Sequence, residues 1–135
     1  MDSMALVEEQ IKAGQKLVER LNREHIPVSA AAWIKASEGS QWYLYLVTPL
    51  VGEDRATKPA YRRVSPVIRQ VQAEGFWIDP FEVKVIGPTA VTGEAIAEVQ
   101  RRHPGGLGIR YAGATLGELS IEGAYIYPPA AAPAA

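Results

Sequence analysis

The chain has no cysteine among its 135 residues and only two histidines, His25 and His103. The first absence excludes disulfides, thiolate metal sites and a cysteine nucleophile. The second leaves too few imidazoles for a histidine-based zinc site, because the two fall on different elements with no helical spacing between them. No metal and no cofactor are expected. Charge of one sign is also lacking: 14 lysines and arginines stand against 15 acids, a formal net charge of -1. Such a balance supplies no global field to draw the chain to nucleic acid or to an anionic membrane. No apolar run approaches the roughly 20 residues that span a bilayer. Met1-Asp2-Ser3-Met4 lacks the basic and apolar order of a secretory leader. The absence of cysteine suits a reducing compartment, so the expectation is a soluble, cytoplasmic protein with no membrane partner. Neither Gly-x-Gly-x-x-Gly nor Gly-x-x-x-x-Gly-Lys-Ser/Thr occurs, and there is no Gly-x-Ser-x-Gly elbow.

What is present is an ordinary globular composition, 47% apolar, in a chain long enough for one real core. The strongest strand signal is Gln41 to Pro49. Trp42, Leu44 and Leu46 alternate there with Tyr43, Tyr45 and Val47, so neither face is polar. A strand of that kind belongs at the centre of a sheet covered on both sides. Before it, residues 4–25 read as an amphipathic helix with Val7, Ile11, Gly14, Val18, Leu21 and His25 on one stripe, capped by Asp2 or Ser3 and ended by Pro27. Gly14 on that stripe implies close approach to another backbone, that of the sheet. Val28 to Ala36 reads as a strand, and the polar turn Ser37-Glu38-Gly39-Ser40 joins it to the aromatic strand as an antiparallel hairpin.

Thr57 is positioned to cap a helix running to about Ala73; Pro66 either kinks it or restarts a second segment, and Gly75 closes it. Phe76 to Phe81 reads as an apolar loop whose aromatics plug one end of the core. Glu82 to Ile86 is a third strand, Thr92 to about Arg102 a third helix, Leu107 to Ala112 a fourth strand and Ala124 to Tyr127 a fifth. Leu116, Leu119 and Ile121 lie between the last two as a turn or short strand. The order α-β-β-α-β-α-β-β describes an α+β domain with a mostly antiparallel sheet of about five strands and helices packed on it. It spans residues 1–128, with a disordered Ala/Pro tail at 129–135.

Three constellations bear on function. Asp79-Pro80-Phe81-Glu82-Val83-Lys84 resembles the Asp…(Asp/Glu)-x-Lys pattern of metal-dependent nucleases. In that chemistry two carboxylates hold a divalent cation and the lysine steadies the attacking water. The resemblance makes Glu82, Lys84, Asp79 and Asp54 the catalytic candidates, although simple strand alternation also puts Glu82 and Lys84 on one face. Second, Arg62, Arg63, Arg101, Arg102, His103 and Arg110 form a set of basic residues, with the glycines after Pro104 able to present N–H groups to an anion. Arginines at a helix C-terminus equally serve the dipole. Third, Tyr43, Tyr45, Tyr111, Tyr125 and Tyr127, with Trp33 and Trp42, crowd the strands and belong first to the core, with room for a subunit interface.

The sequence reading is thus a small binding or assembly module without catalytic activity, a homo-oligomer or the binder of a protein partner. The alternatives are a phosphate- or nucleic-acid-binding protein that uses the arginine cluster and a nuclease-like enzyme that uses Glu82 and Lys84.

Overall fold

The computed structural model describes residues 8–37, 41–52, 56–105, 107–109 and 114–128. Asp2, Ser3, Val7, Glu38, Gly39, Ser40, Asp54, Arg110, Tyr111, Ala112 and the Ala/Pro tail, named above, lie outside them. Helix α1 (Glu8–Arg23) buries Ala13, Gly14, Leu17, Val18 and Leu21 along one stripe. It does not end at Pro27. Ile26 N–H donates to Leu21 O at 2.9 Å and His25 N–H to Asn22 O at 3.2 Å, with His25 at φ 63°. This is a Schellman stop, and its left-handed position favours glycine. The matching stop after α2 (Lys58–Ala73) has Gly75 at φ 97°. His25 is exposed, so His25→Gly should raise stability by about 0.5–1 kcal/mol. The change should be read as a higher urea midpoint at unchanged m-value.

Strands β1 (Ala30–Ala36) and β2 (Tyr43–Val47) form the expected antiparallel hairpin, with Ala30 opposite Val47 and Ile34 opposite Tyr43. After α2 and a single 3-10 turn at Pro80–Glu82, β3 (Val83–Ile86) runs parallel to β2. Helix α3 (Val91–Arg102) follows, then β4 (Leu107–Ile109), β5 (Ala114–Leu116) and β6 (Leu119–Ile126). The sheet order is β3-β2-β1-β6-β4, and β5 pairs with the other half of β6. The mixed α+β architecture is the expected one, but its centre is β1, whose residues 30–35 are all buried. The aromatic strand β2 lies second from the edge.

Pro66 sits inside one unbroken helix. It faces solvent, so the carbonyl it deprives of a partner faces solvent too. Helix α3 begins at Val91 with Ala90 as its N-cap and no side-chain cap, so Thr92 lies inside it. Leu116 and Leu119 are paired across the two-residue turn Gly117-Glu118, with Gly117 at φ 64° as a type II′ turn requires at its first position.

The sheet buries a different core on each face. On one, Ala31, Trp33, Leu44, Leu46, Val83 and Val85 meet Leu17 and Leu21 of α1 and Val64, Ile68 and Val71 of α2. On the other, Ala30, Ala32, Ile34, Ile121, Ala124 and Ile126 meet Ile96 of α3. The alanines of β1 thus let helices approach both sides. Gly14 is where α1 comes closest, and what it meets is side chain, not backbone as the stripe suggested. A Cβ there would lie 2.3 Å from the Tyr127 hydroxyl and 2.9 Å from Trp33 Nε1. That hydroxyl donates to Ile11 O at 2.5 Å and accepts from Trp33 Nε1 at 3.0 Å. Burial pushes its pKa far above the ordinary tyrosine range, against the smaller opposite pull of the Trp33 hydrogen bond.

Candidate functional site

Helix α3 lies over β1, β5 and β6 and leaves the β2–β3 side of its face partly open. Alternation places Tyr43 and Tyr45 on that side, where both stay half-buried. Lys84, opposite Tyr45 in the parallel register, is exposed there. Its Nζ stands 4.2 Å from the Tyr43 ring centroid and 5.8 Å from that of Tyr45, a cation–π arrangement. Burial, with the neighbouring hydroxyls of Tyr43 and Tyr61 adding, raises the Tyr45 pKa. The outer edge of β3 is closed from α2: the Tyr61 hydroxyl donates to Val83 O at 3.1 Å and accepts from Val85 N–H at 3.0 Å. Those two backbone groups are no longer free to pair with an added strand.

The loop leading into β3 is where the sequence reading needs correction. Its aromatics do not all enter the core. Phe76 packs partly against it and Ile78 is buried in it. Trp77, between them, is 70% exposed, and Phe81 is 90% exposed. In an extended segment neighbours point opposite ways, so anchoring Phe76 and Ile78 turns Trp77 outward. The Asp-Pro pair then starts the 3-10 turn and presents Phe81: Asp79 Oδ1 accepts from Phe81 N–H at 2.9 Å. Gln72 Nε2 donates to Ile78 O at 2.7 Å, and Glu82 N–H to Asp79 O at 2.9 Å. Trp77 and Phe81 thus stand out from a segment pinned to α2 and to itself.

The nuclease-like residues come together only in part. Asp79 is close enough to raise the Glu82 pKa, after burial as the larger cause. Its carboxylate is engaged by Phe81 N–H, and Lys84 lies over the tyrosines. Among the described residues no group of three His, Asp or Glu side chains is placed to hold a metal ion. The basic residues are divided. Arg62 and Arg63 are exposed on α2, while Arg101, Arg102 and the C-cap His103 are exposed at the end of α3, across the sheet. Arg101 and Arg102 both bond Glu98, Arg102 Nε at 2.9 Å. Arg101 first, then Arg102, holds that carboxyl below its usual range. A cleft of about 90 Å3 between α1 and α2 is lined by Lys16, Glu19, Arg20, Arg23, Val71 and Glu74, with Arg20 bonded to Gln70 and Glu74. Small-molecule sites usually enclose about 300–1,000 Å3.

No helix among the described residues is long and apolar enough to cross a membrane. Comparison of the chain with protein-family models, with curated proteins and with solved structures finds no match in any of the three.

Proposed function

We propose that this chain is a binding or assembly module without catalytic activity, and that it docks protein through the loop holding Trp77 and Phe81. The observation that carries the reading is the exposure of two large aromatic side chains, 70% and 90%, on a segment whose backbone is fixed by hydrogen bonds to α2 and within itself. Leaving a Phe in water forgoes about 2 kcal/mol of burial. Aromatic anchors on a backbone already ordered before binding are what a protein interface uses, because little loop freedom is left to lose. The two are four positions apart on one loop, so their Cα atoms lie within about 14 Å of each other. The loop's charges favour protein over nucleic acid: Asp79 and Glu82 stand beside Lys84, whereas a strand-binding groove would be lined with cations.

The test is site-specific crosslinking in cells, with p-benzoylphenylalanine introduced in place of Phe81 and, as control, in place of the exposed Arg69 on α2. Position 81 should give discrete protein adducts that fall at least about tenfold when Trp77→Ser is added, since an anchor of this size is worth about 2 kcal/mol. Adducts no stronger at 81 than at 69, or unchanged by Trp77→Ser, would remove the basis of the reading.

A further inference from the structure

The open part of the sheet and the aromatic loop are continuous in the chain: Lys84 follows Phe81 by three residues, within about 11 Å at full extension. Around the two anchors the surface carries both signs of charge. Asp79 and Glu82 precede the strand and Lys84 lies in it, and Lys84 forms no ion pair among the described residues. Burial and Asp79 both raise the Glu82 pKa, so this carboxylate sits where an added cation would be favourable. A surface that holds its own counter-charges suits an isologous contact, in which one residue meets another across a two-fold axis and the reverse holds at the other end.

We propose that the occupant of the docking surface is a second copy of this chain, with Lys84 of one protomer meeting Asp79 and Glu82 of its partner and the Trp77 and Phe81 rings packed between them. The inference rests on the docking reading above and names its partner. Three further observations support it. The formal net charge is -1, so two copies approach with little repulsion. The Tyr61 hydroxyl occupies Val83 O and Val85 N–H, which disfavours an extended peptide added along β3 and leaves a face-to-face contact. The exposed parts of Trp77 and Phe81 amount to something on the order of 300 Å2. Lys84, three residues on from Phe81 and set over Tyr43 and Tyr45, would add to that area toward the roughly 800 Å2 per partner of a standard interface.

The experiment is sedimentation equilibrium of the full chain over a wide concentration range, with circular dichroism confirming that each variant is folded. The wild type should reach a dimer. Lys84→Glu, which leaves only acids facing acids, should weaken it by about tenfold or more, and Glu82→Lys should weaken it too. The double variant Glu82→Lys/Lys84→Glu should recover part of the Lys84→Glu loss, because positions 82 and 84 again carry opposite charges across the axis while Asp79 then faces an acid. A dimer indifferent to these changes and to Phe81→Ser would overturn the proposal, since another surface would then carry it. A wild type that stays monomeric at the highest concentration would overturn it as well. Those results are separable from failure of the docking reading: self-docking gives adducts from position 81 at twice the 14.7 kDa chain mass. Adducts of other masses with a monomeric chain would keep the docking surface and discard the second copy.

Discussion

Gly14→Ala should destabilise the protein by about 2 kcal/mol, although the same exchange in a free helix would stabilise it by about 1 kcal/mol. The sign follows from where α1 crosses the sheet. The added methyl would stand 2.3 Å from the Tyr127 hydroxyl, and that hydroxyl is held between Ile11 O and Trp33 Nε1. Either the helix lifts and loosens Leu17 and Leu21 in the core, or the ring retreats and leaves the indole N–H unpaired. Tyr127→Phe alone should cost about 1–3 kcal/mol, because it strips a buried donor and a carbonyl of their partner. Combined with Gly14→Ala it should cost less than the sum of the two by about 1 kcal/mol or more, since the atom nearest the new methyl has gone. Urea denaturation of the four proteins checks this. Additive losses, or a gain from Gly14→Ala, would mean that α1 stands further from the sheet.

The second large effect is expected on the opposite face of the sheet, beyond the ends of β2 and β3. Three backbone segments converge there: the loop after β2, the loop after β3 and the first turn of α3. A Cβ on Gly93 would lie 2.3 Å from Gly87 O, and one on Gly87 would lie 2.7 Å from Val51 O. Because the obstacles are carbonyl oxygens, no rotamer change relieves them. Gly93→Ala should therefore push α3 off the sheet, at a cost of about 3 kcal/mol. For a chain of this length that is about 10 °C in Tm. The loss should centre on the core of Ile96, Ile121 and Ile126. Calorimetry checks it, with Gly105→Ala as control, because nothing lies within 4 Å of a Cβ there. Equal Tm values for the two variants would contradict the close packing.

How much of this was legible in the sequence differs by element. The hairpin of β1 and β2 was legible because alternation and a short polar turn are local signals. The buried stripe of α1 was legible from its period, as was the need for a close neighbour at Gly14. Which neighbour was not, since Tyr127 lies more than a hundred residues away. The exposure of Trp77 was open to inference from the alternation of Phe76, Trp77 and Ile78. That of Phe81 followed from the Asp79-Pro80 start of a turn. Apolar composition hid both. Leu116-Gly117-Glu118-Leu119 carried a hairpin signal in its glycine, easily read instead as an irregular turn. The division of Arg62 and Arg63 from Arg101 and Arg102 was beyond reach, because periodicity gives each helix a buried side but not the face of the sheet it covers. The parallel pairing of β2 and β3 through α2 was hidden for the same reason.

The three constellations therefore fare differently as sites. The arginines lie across the sheet from one another, and the acids near Lys84 assemble no metal group among the described residues. The aromatic loop keeps a surface that the described residues leave exposed.

Hydrogen–deuterium exchange of the wild-type chain, compared at dilute and at high concentration, tests the docking of that loop most directly. Residues 76–84 should exchange more slowly as concentration rises, while the exposed side of α2 exchanges at one rate throughout. Unchanged exchange at 76–84, with protection appearing elsewhere or nowhere, would contradict the proposal that a second copy covers Trp77 and Phe81.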